Sequence, residues 1–225
     1  MKRVVAFLPM KGNSERVPNK NLKDFSGKPL YHSIMNTLLK SKYIDLVIVN
    51  TDSKEITNDI NKNFNKKVKI INRPTELIGD LVSMNKIVDF DINQIDSRFY
   101  IQTHSTNPLL KTETIDTAIE KMKEFLISGS NDSIFSVTNI QTRLYKQNGE
   151  ALNHNPLDLI RTQDLEPLFE ENSNFYIFTK ESFKNAGGTR IGLKPYLFEI
   201  DKIEAIDIDD PQDFLIAEAI YSLNL

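Results

Sequence analysis

The chain has no cysteine in its 225 residues, which excludes disulfides, a cysteine nucleophile and thiolate metal sites. It has no apolar run approaching the roughly 18–20 residues of a membrane span. Met1-Lys2-Arg3 is followed by only five apolar residues before Pro9, too short a stretch for a signal peptide. The expected compartment is therefore the cytoplasm, with no membrane partner. There is no basic excess: 28 Lys and Arg against 31 Asp and Glu give a net charge of −3, so general nucleic-acid binding is not expected and cation clusters must be judged locally. Phe and Tyr fall on core-like periodicities and do not interleave with cations, which also argues against stacking on nucleic acid. The three histidines, His32, His104 and His154, are scattered, without metal-ligand spacing or a triad pattern. Neither a Walker-type loop nor a dinucleotide fingerprint occurs.

What is present fits an ordinary globular protein, 40% apolar and 26% charged, long enough for a sizeable core. Val4 to Leu8 is a short apolar, β-branched run that predicts a buried strand. Tyr31 to Lys42 places Ile34, Leu38 and Leu39 on one helical face. Strands are expected at Ile44–Asn50, Val68–Ile71 and Phe99–Thr103, with intervening helices from Lys54, capped by Asp52 or Ser53, and from Ser83 to Ile92. This alternation predicts an α/β fold with a mostly parallel sheet and helices on both faces. Thr114 to Ile127 is a further helix, and Ser133–Val137, Asn174–Phe178, Tyr196–Ile200 and Ala205–Asp209 read as strands. Asp210-Pro211 opens a last helix from Gln212 to Leu223, with proline near its first position. Residues 138–171 are irregular, turn at Asn148-Gly149, and read as a strand-containing excursion from a single domain and a subunit contact.

The loop after the first strand, LPMKGNSERVPNKNL, gathers Lys11, Arg16, Lys20 and Lys23 around Gly12, Asn13 and Ser14, with Glu15 as its single acid. Freed backbone N–H groups beside Lys and Arg suit a polyphosphate, although a solvated strand-to-helix loop can look the same. In parallel sheets the ligand lies beyond the carboxyl ends of the strands. Lys11 to Lys20, Asp52, Arg73 and His104 all fall just past predicted strand ends. Far along the chain, Asp207 and Asp209 would share one face of a strand, where the two carboxylates repel each other unless a cation sits between them. Magnesium suits such a pair, taking one or two carboxylates and completing its shell with water and phosphate oxygens. Capping of the last helix would explain Asp210, could take in Asp209 as well, and leaves Asp207 without a role.

These blocks resemble the CMP-sugar-acid synthetases, that is, the acylneuraminate cytidylyltransferases and their relatives that use other 3-deoxy-2-keto sugar acids. The likeness runs through LPMKGNSERVPNKNL and SGKPL, VIVNTDSKEI, INRPTELIGD, THSTNPLLKTETIDTAI, IRTQDLEPLFEENSNFYIF and IDIDDPQDFLIAEAI. It implies a Rossmann-like nucleotidyltransferase fold with an inserted dimerisation segment and a homodimer. It implies that CTP is held by Lys11, Arg16 and Lys20 on the triphosphate, with Gly12, Asn13, Ser14, Asn21 and Arg73 beside them. Asp207 and Asp209 match the magnesium carboxylates, and His104, Arg161, Gln163 and Tyr176 fall where sugar-acid contacts are expected. The chain departs from the family pattern at several points. Lys11 stands where Arg is common, Glu15 where a base is frequent, His104 for Gln, Leu110 for Arg, and Ser173 for the Gly of an Asn-Gly pair.

The expected reaction is transfer of the cytidylyl group of CTP to the anomeric hydroxyl of a sialic or related nonulosonic acid, releasing pyrophosphate. Lys11, Arg16, Lys20 and Asp209 would be its catalytic residues. Two alternatives stay open at this stage: a nucleotidyltransferase for another nucleotide or a sugar 1-phosphate, and a non-catalytic nucleotide-binding protein on the same fold.

Overall fold

Alternate residues of the first strand decide where the two halves of the core lie. In β1 (Val4–Phe7), Val4 and Ala6 point into one apolar cluster while Val5 and Phe7 point into another. The first cluster packs α1 (Tyr31–Lys40) and α4 (Thr112–Ser128) on the sheet through Ile34, Met35, Leu38, Ile115, Ile119 and Met122. The second brings in α3 (Met84–Gln94) and α5 (Lys180–Asn185) through Val88, Ile92 and Phe183. A strand buried on both faces needs a continuous apolar run rather than alternation, which is what Val4 to Leu8 supplies. The computed structural model describes residues 4–14, 16–64 and 67–223. Glu15, one of the departures noted above, lies outside the described residues.

A small hairpin, β2 (Asp24–Phe25) and β3 (Lys28–Pro29), follows the opening loop. The remaining strands are β4 (Leu46–Thr51), β5 (Val68–Asn72), β6 (Phe99–Thr103), β7 (Ser133–Ile140), β8 (Leu168–Phe178) and β9 (Pro195–Glu199). With β1 they make one sheet in the order β5-β4-β1-β6-β8-β7-β9. All neighbours are parallel except at β8, which runs antiparallel to both β6 and β7. The expected mostly parallel α/β sheet is what the chain forms. From β1 the chain steps outward to β4 and β5, then returns to β6 on the other side of β1. The crevice between the carboxyl ends of β1 and β6 is therefore the topological switch point, where ligands bind in such sheets.

Ser53 caps α2 (Lys54–Asn63) by accepting from the Ile56 N–H at 3.2 Å. α6 (Pro211–Ser222) starts with a capping box: Asp210 accepts from the N–H groups of Gln212 and Asp213, and Asp213 accepts back from the Asp210 N–H. Among the described residues no helix is long and apolar enough to cross a membrane.

Two sequence expectations are corrected. No strand forms over Ala205–Asp209. The chain turns at Asp201 to Ala205, leaving the sheet edge held by β9, and heads for the crevice. There a single backbone bond, Ile208 N–H to the Thr106 carbonyl at 2.9 Å, ties it down. The irregular excursion is also shorter than residues 138–171. β7 and β8 continue as an antiparallel ladder through Thr138–Glu170, Asn139–Phe169 and Ile140–Leu168, so the excursion spans 141–167. A register shift between Phe135 and Val137 hid this ladder by breaking its period-two pattern.

Candidate active site

The opening loop is fastened to its neighbours at several points. Met10 N–H bonds the Asn50 carbonyl at 2.9 Å, continuing the β1–β4 register past the strand end. Gly12 N–H donates to Asp52 Oδ1 at 2.7 Å, and a side chain at Gly12 would meet Ser53 Cβ at 3.0 Å. Asn21 donates to the Lys11 carbonyl at 2.9 Å and accepts from Ser105 Oγ at 2.6 Å, so the loop after β1 is stitched to the loop after β6. Between these two loops lies a cavity of about 300 Å³, whose walls include Lys11, Ser14, Arg16, Lys20, Arg73 and His104.

The cations of that cavity are drawn toward acids from distant parts of the chain. Lys11 Nζ lies 2.7 Å from Asp80 Oδ1, and Arg16 Nη2 lies 2.8 Å from Asp209 Oδ1. Lys20 is 8% exposed and donates to the Ile208 carbonyl. Burial lowers the Lys20 pKa, and the charges of Asp207 and Asp209 oppose that shift. Asp207 is raised above the usual carboxylate range, first by burial and then by its neighbour Asp209, against a bond from Thr106 and the charge of Lys20. Its Oδ1 is buried with no hydrogen-bond partner among the described residues.

A second cavity, about 600 Å³, opens on the other side of this acidic corner. The β7–β8 ladder supplies Thr138, Asn139, Glu171, Asn172 and Ser173 to its wall, and the turning segment supplies Lys202, Asp207 and Asp209. Asp209 thus lines the second cavity while bonding Arg16 of the first. Two adjoining chambers with a carboxylate pair where they meet suit a two-substrate transfer between a phosphate donor and a polar acceptor.

The family described as cytidylyltransferase matches residues 5–223. This chain belongs to the cytidylyltransferase family. It is 30% identical to the CMP-N,N'-diacetyllegionaminic acid synthase of Legionella pneumophila, over 99% of this chain and 97% of that protein. It is 26% identical to the pseudaminic acid cytidylyltransferase of Campylobacter jejuni, over 98% and 97%. Its fold is shared with a solved CMP:2-keto-3-deoxy-manno-octonic acid synthetase complexed with CTP, at a TM-score of 0.72 and 14% identity, over 99% of this chain and all of that one. The 4-diphosphocytidyl-2C-methyl-D-erythritol synthase of Anaerococcus prevotii also has this fold, at a TM-score of 0.69 and 12% identity, over 98% and 96%.

Against this background the cytidylyltransferase brings together most, not all, of the residues singled out from sequence. Lys11, Ser14, Arg16, Lys20, Asn21, Arg73 and His104 line the first cavity, and Asp207 and Asp209 the second. Gly12 turns instead toward Asp52 and Ser53, and Asn13 stands exposed outside that lining. Arg73 reaches the cavity wall, yet its guanidinium bonds Asn50 Oδ1 at 2.8 Å, the Asn50 carbonyl at 2.9 Å and the Met10 carbonyl at 3.2 Å. It ties strand ends together rather than waiting free for phosphate. His104 is held down to about 4 by burial and by the charge of Arg190, so its imidazole is neutral near pH 7.

Arg161 and Gln163 are not brought to either cavity. They sit on the exposed turn Thr162–Asp164 and its flank, where Arg161 pairs with Asp164 at 2.7 and 3.0 Å and the Gln163 carbonyl accepts from Gln141. Tyr176 is 1% exposed and turned inward, its hydroxyl bonded to Glu171 and Ser173, so it supports the second cavity from beneath. Burial pushes that phenol up to about 12.

Sequence reasoning missed Asp80, Ser105 and Arg190. Asp80 sits in the Gly-Asp pair of the INRPTELIGD block, past a strand end, a place that does mark a loop facing the crevice. Arg190 gave no signal, since the Gly-Gly-Thr-Arg run has neither periodicity nor a motif. As for a metal, no group of three or more His, Cys, Asp or Glu side chains suited to an ion occurs among the described residues. The protein can offer Asp207 and Asp209, one of them with an orphaned buried oxygen. That donor set fits a magnesium ion whose other ligands are water and phosphate.

Proposed function

We propose that this cytidylyltransferase transfers the cytidylyl group of CTP to the anomeric hydroxyl of a nonulosonic acid, with the nucleotide in the first cavity and the sugar acid in the second. The carrying observation is the contact of Arg16 with Asp209, which joins the cationic loop to the carboxylate pair where the two cavities meet. The Legionella and Campylobacter relatives, matched over nearly their whole length, are named for legionaminic and pseudaminic acids and support this acceptor class.

In this reading the acceptor hydroxyl oxygen forms a bond to the α-phosphorus, the bond from that phosphorus to the β-phosphate bridging oxygen breaks, and the hydroxyl proton is released. Lys11, Arg16 and Lys20 neutralise the charge that accumulates on the departing pyrophosphate. Lys11 and Arg16 exchange Asp80 and Asp209 for phosphate oxygens as CTP enters, at small cost because both ion pairs are exposed. Asn21 and Arg73 hold the loop rigid, so the cations are in place before the nucleotide arrives. Asp207 and Asp209 would hold a magnesium ion, which when bound supplies further charge neutralisation at the phosphates. His104, neutral, offers one donor and one acceptor at the wall between the substrates.

We infer a homodimer with the excursion as its contact, because Leu152, Leu157 and Leu159 are 55%, 96% and 76% exposed, a concentration of apolar surface suited to a second copy. The test of the reaction is pyrophosphate release from CTP and magnesium with a panel of sialic, legionaminic, pseudaminic and 3-deoxy-octulosonic acids. Release with a nonulosonic acid is expected; silence with every acid defeats the proposal.

A further inference from the structure

Arg190 lies on the connection between α5 and β9 and is held entirely by neutral groups. Its Nε donates to Asn85 Oδ1 at 3.1 Å, its Nη1 donates to Gln102 Oε1, and its guanidinium carbon lies 4.0 Å from the centre of the Tyr176 ring. These partners come from α3, β6 and β8, so three elements converge on one cation. Among the described residues no carboxylate lies within ion-pair distance of Arg190. Glu171 acts on it from further away, and the Glu171 carboxylate is already engaged by the Tyr176 hydroxyl. Burial pulls Arg190 below the usual guanidinium range, the direction expected for a charge kept in a partly desolvated wall. A packing role alone is met more cheaply by a neutral side chain.

The position of Arg190 shows where its positive potential emerges. Gln102 is two residues before His104 on the same strand end, and His104 lines the nucleotide cavity. Through its bond to Gln102, Arg190 stands behind the wall that carries His104 and also faces Lys11, Arg16, Lys20, Arg73 and Asp80, and its charge adds to the burial that lowers His104. On the other side, Tyr176 connects Arg190 to Glu171 and Ser173 of the second cavity. That cavity is lined by four carboxylates, Glu170, Glu171, Asp207 and Asp209, and by Lys202 as its one cation among the described residues. Arg16, Lys20 and a magnesium ion would offset Asp207 and Asp209, which leaves Glu170 and Glu171 opposing a negatively charged acceptor on the side nearest Arg190.

We propose that Arg190 is a specificity-determining residue whose half-buried charge draws the carboxylate of the acceptor to the junction of the two cavities. The inference rests on the sugar-acid reading above. Arg190 acts from behind His104 and Tyr176, across a wall of low dielectric where charge interactions are long-ranged. It is a positioning residue and need not touch the acceptor.

The test is steady-state pyrophosphate release by wild type, Arg190→Met, Arg190→Gln and Arg190→Lys, with the accepted sugar acid and with its carboxyl methyl ester as substrate or competing ligand. Arg190→Met is expected to raise KM for the acid by about tenfold while leaving KM for CTP within about twofold. Arg190→Lys is expected to recover most of the loss, and the preference for acid over ester falls by the same factor as the acid's affinity. An unchanged KM for the acid, or equal losses for acid and ester, overturns the proposal in favour of a packing role. Where Arg190→Met fails to fold, as read by thermal melting, Arg190→Gln matching Arg190→Lys in acid KM overturns it equally. A wild type that accepts no sugar acid defeats the functional reading instead, so the two failures are distinguishable.

Discussion

Arg16 and Asp209 are 193 positions apart in the chain, and the Arg16 guanidinium donates to the Asp209 carboxylate at 2.8 Å. Both side chains are more than half exposed, so as an ion pair they contribute at most about 1 kcal/mol to stability. The contact matters for where it places the two groups. It brings the cationic loop after β1 against an acid that caps no helix and pairs in no strand. Next to it, Asp207 carries a buried oxygen without a partner.

Removal of that acid should therefore separate activity from stability. Asp209→Ala is expected to lower kcat by at least about a hundredfold, the scale for loss of a group that organises phosphate charge. Thermal melting should move little, because only an exposed pair is lost. Pyrophosphate release and a melting curve on the same sample decide it; full activity in Asp209→Ala removes the carboxylate pair from the mechanism.

The site was legible where chemistry lies close in sequence and opaque where the fold assembles it. Lys11, Arg16 and Lys20 share one loop after a recognisable strand, and Asp207 and Asp209 stand two apart, so both halves carried a local signal. The strand drawn through Asp207 was wrong because apolar alternation at Ile206 and Ile208 has another cause. Ile208 packs under α6 with Phe214 rather than joining a sheet. Arg161 and Gln163 were assigned from block position alone, and a local Arg161–Asp164 pair on an exposed turn is invisible at that level. Arg190 was illegible for the opposite reason: its hydrogen-bond partners are 88 and 105 positions away, and neither of them is a charge.

Ser173 gives a direct test of backbone strain. It sits beside the β7–β8 irregularity with φ of 58°, the left-handed region where a Cβ is unfavourable. Glycine, which the resemblance implies at this position, adopts the conformation without that penalty. Ser173→Gly is expected to relieve the strain and raise stability by about 0.5–1 kcal/mol, less what is lost with the 3.1 Å contact to the Tyr176 hydroxyl. Urea unfolding of the two proteins measures the difference, and a destabilised glycine variant would show that the hydroxyl contact dominates.

Asp91 makes stability depend on pH. It is fully buried, accepts from Asn50 Nδ2 at 2.7 Å, and has one oxygen without a partner among the described residues. Burial raises it from 3.8 to about 7, against the Asn50 bond and the charge of Arg73. The folded chain thus holds this proton more tightly than the unfolded chain. The stability it brings is complete below the unfolded value and is lost as pH rises through about 7. Asp91→Asn cannot ionise, so its stability relative to wild type is expected to increase between about pH 5 and about pH 8. Parallel urea melts across that range check the sign, and a difference that stays flat would place the Asp91 proton elsewhere.

The last prediction concerns how Asp209 is held. Asp213, in the first turn of α6, accepts from the backbone N–H groups of both Asp209 and Asp210 at 2.9 Å, while Asp210 accepts from Gln212 and Asp213 in return. The helix terminus therefore fixes the chain that carries the acidic corner, and the favourable dipole end of α6 lies beside it. Asp213→Ala removes the reciprocal half of the capping box and is expected to cost about 0.5–2 kcal/mol of stability. It also frees the Asp209 backbone, so kcat should fall several-fold even at temperatures where the variant is fully folded. Asp210→Asn keeps a capping side chain and leaves Asp213 in place, and it should lose much less of either quantity. Melting curves and pyrophosphate release for the two variants separate the effects. If Asp213→Ala loses stability but keeps full turnover, the position of Asp209 is set by Arg16 and the ligands rather than by the helix.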